Sequence, residues 1–143
     1  MRLPLLALAC LAAPAWAQVE IENAWSRATA PGASVAAGYL IVRNKGASPD
    51  RLVGARSPAA AKVETHVTVR EGDIMRMREV KGYDLPPGAA FELKPGGAHL
   101  MFVDVRRPFK EGDRIPVTLR FERAGEKTVE FRVGRLGPPA HRH

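Results

Sequence analysis

Two histidines and three methionines hold most of the chemistry that this sequence offers. GGAHLMFV, residues 96–103, sets His99 and Met101 two apart in a run that otherwise reads as a buried strand. Successive side chains of a strand point to opposite faces, so His99 and Met101 share one face and Leu100 and Phe102 the other. Leu100 and Phe102 are the better core residues, which makes the His/Met side the expected outer or rim face. Residues Val63 to Val69 alternate in the same way and put His66 on the polar side with Glu64 and Thr68. Met75 and Met77 share a face in the strand that follows the turn signal Glu71-Gly72-Asp73. A two-residue hairpin loop would bring His66 onto the face of both methionines, at or near the level of Met77; a three-residue loop would break that parity.

Imidazole nitrogen is a borderline ligand, and thioether sulfur is a soft, neutral one. Mixed sets of the two favour Cu(I) over harder ions. Zinc takes thiolate, imidazole or carboxylate in preference to thioether. Blue-copper electron transfer needs a cysteine thiolate. The one cysteine, Cys10, lies in a leader, so the exported chain has neither a disulfide nor a thiolate. Taken singly, each of these residues has a plainer explanation. A lone methionine usually fills a core gap, and a lone histidine on a strand is usually a satisfied structural residue. Taken together they are less ordinary, because Met75 to Met101 spans only 27 positions and holds every methionine outside the leader.

The elements that must position these residues read as one all-β domain. A chain of 143 residues suits a single domain with its own core. MRLPLLALACLAAPAWA has a basic start at Arg2, a short apolar run and an Ala15-Trp16-Ala17 ending, the pattern of a cleavable signal peptide. Cys10 follows Ala7-Leu8-Ala9, a poor lipobox because leucine is expected where Ala7 stands. Residues 1–17 are therefore expected to be removed, and the apolar run is too short for a membrane span. The folded domain is expected over 18–134, with a flexible tail at 135–143 that carries His141 and His143. Strands are expected at Val19–Asn23, Ala37–Asn44, Arg51–Arg56, Val63–Val69, Ile74–Val80, Ala90–Leu93, His99–Val105, Ile115–Phe121 and Lys127–Val133. Gly and Pro clusters punctuate them, and Ser57–Lys62 suits a single helical turn. Short strands at this spacing predict a sandwich or Greek-key barrel.

The order His66, ten residues, Met77, twenty-one residues, His99, one residue, Met101 spells H-x10-M-x21-H-x-M. In this the chain resembles the periplasmic copper chaperones associated with the CuA site, the PCuAC family. Tyr39–Asn44 with Gly46, Asp50-Arg51-Leu52, Lys94-Pro95-Gly96-Gly97 and Glu111-Gly112-Asp113 are similar to that family's framework segments. The resemblance implies a cupredoxin-like Greek-key β-sandwich or barrel that binds one Cu(I) at His66, Met77, His99 and Met101. It further implies that the protein works in the periplasm, holding copper and passing it to the CuA domain of cytochrome c oxidase subunit II, directly or with a thiol-bearing copper-transfer protein. Met75 is a third thioether on the expected face, an additional ligand or a cover. His141 and His143 are candidate ligands for a second ion, Cu(II).

Charge sharpens the partner. The chain carries a net +7, and Arg70, Arg76, Arg78, Arg106, Arg107 and Lys110 lie near the motif residues in sequence. These residues suit either a solvated face or a basic rim that would steer the protein toward an acidic surface. Nucleic acid fits poorly, since an exported chain rarely meets it and the few aromatics are not interleaved with the basic residues. No Ser-His-Asp set or useful carboxylate pair supports an enzyme. The expected protein is a monomeric, non-enzymatic carrier. Copper buffering in the periplasm, or a metal-free β-sandwich interaction module, are the alternatives.

Overall fold

The computed structural model describes Arg2, Pro4 and residues 18–134. Ten strands follow one another in the chain: β1 (Val19–Arg27), β2 (Val35–Asn44), β3 (Asp50–Arg56), β4 (Ala60–Glu71), β5 (Ile74–Glu79), β6 (Tyr83–Leu85), β7 (Ala90–Leu93), β8 (His99–Val105), β9 (Arg114–Phe121) and β10 (Gly125–Gly134). They form one sheet in the order β5-β4-β8-β2-β1-β10-β9-β3-β6, with β7 on β2. A pairing of Ala55 in β3 with Val63 in β4 closes that sheet into a barrel. Every pairing is antiparallel except β1 with β10, so the barrel is mixed.

Alternation drives the closure. In β9 the residues Ile115, Val117, Leu119 and Phe121 are all buried, while Arg114, Pro116 and Arg120 between them are exposed. Leu40, Val42, Leu52, Leu100, Phe102 and Phe131 fill the same interior. Phe102 meets Phe109 and Phe131 edge to face, at centroid distances of 5.3 and 6.0 Å, the arrangement that ring quadrupoles favour. Gly38 makes room for it: a Cβ there would come within 2.8 Å of the Phe102 ring and 2.9 Å of the Phe131 ring.

All nine expected strands are present, several of them longer than their sequence pattern. β1 runs past Asn23 to Arg27 through an irregularity between Glu22 and Trp25, where Asn23 sits at φ +50°. The bulge shifts the alternation and hides the second half of the strand from a period-2 reading. Ser57–Lys62 is not a helical turn. A tight turn at Pro58-Ala59 leads straight into β4. β6 was not expected at all. Its three residues, between Gly82 at φ +149° and Pro86-Pro87, are too few to show a period.

Candidate metal centre

β4, β8 and β5 bring the motif residues together. β4 pairs with β8 so that His66 lies opposite His99 and Glu64 opposite Met101. On its other side β4 pairs with β5, which sets His66 opposite Glu79, Thr68 opposite Met77 and Arg70 opposite Met75. The loop is the two-residue Gly72-Asp73, with Gly72 at φ +61°, so the expected parity holds. His66, His99, Met101, Met77 and Met75 therefore share one face. The two histidines form a central row. Met77 lies one cross-strand step toward the hairpin tip and Met101 one step toward the barrel middle. Met75 stands a further step out, about 7 Å along the strand from Met77.

That face is not an open outer surface. His99 is only 3% exposed, and the side chain of His66 is 15% exposed. β8 lies inside the sheet, flanked by β4 and β2. The His66 ring sits 5.5 Å from that of His99, and the β2–β8 register, carried one residue on, puts buried Tyr39 on the other flank. The methionines of β5 are the opposite case, with Met77 62% and Met75 56% exposed. Met101 is half-buried.

Each histidine has one ring nitrogen held and one left over. His99 Nδ1 lies 3.1 Å from the carbonyl oxygen of Gly97. A carbonyl only accepts, so Nδ1 carries the proton and Nε2 keeps its lone pair. His66 Nε2 lies 2.8 Å from Glu64 Oε2. Lys62 Nζ, 2.8 Å from Glu64 Oε1, and His66 itself hold the Glu64 carboxyl below its ordinary range. The carboxylate accepts, and the lone pair of His66 is left on Nδ1. Among the described residues, His66 Nδ1 and His99 Nε2 are both buried without a hydrogen-bond partner. An unpaired buried acceptor costs about 1–3 kcal/mol, and a metal ion is the partner that would remove the cost. Burial, with the neighbouring His66, lowers the pKa of His99 against the raising effect of the Gly97 carbonyl. It therefore favours the neutral, ligating form. The residues present fit a soft ion held by two imidazoles and thioethers.

Tyr83 ties the row from behind. Its hydroxyl donates to the carbonyl oxygens of both His66 and His99, at 2.6 and 2.7 Å. The ring is buried and stacks on Phe91 at 5.0 Å, and burial pushes the phenol far up, so it stays a donor. Sequence reasoning missed three supporting residues. Glu64 had a signal, since a carboxylate two residues before a histidine on a strand shares its face. The Gly97 carbonyl and Tyr83 had none, because their roles exist only after β6 and β8 have been placed.

The basic rim is smaller than expected. Arg76 and Arg78 pair with Val69 and Val67, on the face of the hairpin away from the methionines; Arg70 alone shares the methionine face. Arg106 and Arg107 follow the far end of β8, about 24 Å of strand from His99, and line a cleft with Pro58 and Phe109. Lys110 lies beyond them in sequence. Among the described residues, no three His, Cys, Asp or Glu side chains are disposed to hold a metal ion. Cys10, His141 and His143 lie outside the described residues.

Comparison with known proteins agrees with the barrel. Residues 19–133 match the LpqE-like family, described as "Putative lipoprotein LpqE-like". "Putative lipoprotein Lxx21020" of Leifsonia xyli subsp. xyli is 38% identical over 116 residues, covering 80% of this chain and 69% of that protein. The copper-bound PCuAC domain from PmoF2 is similar at 31% identity with a TM-score of 0.72, covering 82% of this chain and 93% of that domain. The solution structure of CuI-DR1885 from Deinococcus radiodurans is similar at 26% identity with a TM-score of 0.63, covering 85% of this chain and 83% of that one. With a match along nearly the whole barrel, this chain belongs to the LpqE-like, or PCuAC, family.

Proposed function

We propose that the protein is a Cu(I) carrier of the periplasm. It holds one ion with His66 Nδ1, His99 Nε2 and the thioethers of Met77 and Met101. It hands the ion to the CuA domain of cytochrome c oxidase subunit II, directly or through a thiol-bearing partner. The observation that carries this reading is the pair of buried, unpartnered imidazole nitrogens on the face that also bears the methionines. The kinship supports it, since a copper-bound and a CuI form are among the similar structures. All four ligands are neutral, which suits the single charge of Cu(I). Copper is cargo here, and no bond of a substrate is made or broken. The half-buried and exposed thioethers leave a side by which a stronger ligand can enter, so transfer proceeds by ligand exchange. The signal-like leader and the lipoprotein in the family's description both support export. The same description gives Cys10 a second reading, as the residue that would carry a lipid.

An anaerobic Cu(I) competition titration against a chromophoric chelator tests the carrier. One equivalent bound by residues 18–143, and lost in the double variant His99→Ala, Met101→Ala, is the expected result. Equal uptake by both proteins would remove the centre from the account.

A further inference from the structure

β5 is an open sheet edge, and three observations set it apart. Among the described residues it ends the sheet and pairs only with β4, and all six of its residues are exposed. Of the four large hydrophobic side chains exposed among the described residues, Ile74, Met75 and Met77 lie on it. Its outward main chain also meets no other strand among the described residues. The Thr68 N–H bonds to Gly97 on the β8 side, whereas Val80 N–H bonds to the Thr65 carbonyl on the β5 side. By alternation, Arg76 and Arg78 turn their main-chain groups to β4, and Met75, Met77 and Glu79 turn theirs to the open edge. Folded proteins usually blunt such edges with short strands, proline, bulges or charged side chains, and of these β5 has only the charges of Arg76, Arg78 and Glu79. The other end of the sheet is blunted, since β6 has three residues and runs into Pro86-Pro87. β5 has no proline, and its register with β4 is unbroken.

We infer that β5 is the docking strand for an extended segment of the copper-exchange partner, which adds to the sheet beside Met77. The charge of the strand says what that segment carries. Arg76 and Arg78 project on the face away from the methionines. Glu71 lies 3.5 Å from Arg76, and Arg78 has no ion pair among the described residues. A second copy of this chain would set arginines against arginines across the new ladder, which is unfavourable. An acidic strand would pair with them. Side chains of an added strand alternate, so a segment with acidic residues on the arginine face presents the residues between them to Met77, about 5 Å away. A cysteine there enters the copper sphere as a thiolate, its proton passing to water, while the Met77 thioether leaves. Copper stays Cu(I) throughout. The cysteine rests on the carrier reading; the strand addition does not.

The test uses the peptide acetyl-Thr-Glu-Ser-Glu-Thr-Glu-amide and its Ser-to-Cys form with the 15N-labelled, metal-free protein. The serine peptide is expected to shift and protect the amides of Met75, Met77 and Glu79. A peptide N-methylated at alternate residues is expected to lose this, and Arg76→Glu with Arg78→Glu to weaken it about tenfold. The two arginines are exposed and lie outside the proposed ligand set, so the double variant keeps its Cu(I) uptake. Shifts confined to other strands, no shifts at millimolar peptide, or self-association through β5 on concentration would each overturn the inference. If the serine peptide docks and the cysteine peptide draws no copper from the loaded protein, the docking strand stands and the transfer step falls.

Discussion

His66 and His99 face each other inside the sheet, with neighbours on both flanks, while Met75 and Met77 ride on a strand that, among the described residues, ends the sheet. The two halves of one candidate centre are thus built to opposite rules. On the histidine side, Glu64, Gly97 and Tyr83 set the tautomers and backbone, and the free nitrogens are already aimed. Little entropy remains to be lost there on binding. On the methionine side the thioethers are long, flexible and exposed, and ordering them costs up to about 1.5–2 kcal/mol each. Such a division suits a carrier. In the proposed carrier, one half would hold the ion in place and the other would open to let it leave.

The largest expected effect breaks the comparison at its base. His99→Ala is expected to lower Cu(I) affinity by more than about a hundredfold, beyond what supporting residues usually cost. Met77→Ala is expected to cost less, because Met75 sits on the same face of β5, two residues along, and its long side chain can reach toward the vacated place. Met75→Ala alone is then nearly silent, and the pair together far worse than their sum. Chelator titrations of the four variants check this. A Met77→Ala protein as weak as His99→Ala would mean that both halves are equally preformed.

Glu64 comes next. Glu64→Ala frees the His66 ring to turn and to change tautomer, and about 10–100-fold in affinity is expected to go with it. Glu64→Gln keeps an acceptor oxygen for the Nε2 proton and is expected to recover most of the loss. Long-range 15N–1H spectra of the metal-free protein read the tautomer directly. If His66 stays Nε2-protonated in Glu64→Ala, the carboxylate does not set it.

Behind both histidines, Tyr83→Phe removes one hydroxyl from two carbonyls. A cost of about 1–3 kcal/mol is expected in urea unfolding. The Cu(I) affinity is expected to fall less than in Glu64→Ala, since no ring is released. An unchanged midpoint would show that water replaces the hydroxyl.

The sequence made the histidine and methionine faces legible because strand alternation and a two-residue loop are local rules. Met75, Met77 and His66 could be placed on one face before any fold was known. The burial of His99 could not, because it depends on which strands flank β8, and Tyr39 comes from sixty residues earlier in the chain. Tyr83 was hidden for a related reason: three residues carry no period, and its two acceptors lie on β4 and β8, which β6, at the other end of the sheet order, reaches only once the barrel closes. The arginines of β5 misled for the opposite reason. They are near the methionines in sequence and on the other side of the strand in space.

Acid gives the smallest effect and the finest test of the buried half. The pKa of His99 is depressed in the fold below its ordinary 6.5, chiefly by burial. The unfolded chain therefore takes up a proton first as pH falls. The contribution of His99 to stability is complete above about pH 6.5 and is lost as pH drops from there toward the folded value. One proton limits the slope to about 1.4 kcal/mol per pH unit. Urea midpoints of the metal-free protein are expected to fall between pH 7.5 and 5.5, and to fall less in His99→Ala, which lacks the buried ring. Glu64, whose pKa is lowered, adds its own loss only below about 4.5, outside that window. The same slope in both proteins would mean that His99 is not the group that feels the acid. Since bound copper competes with that proton, the loaded wild type is expected to hold its midpoint to lower pH than the metal-free form.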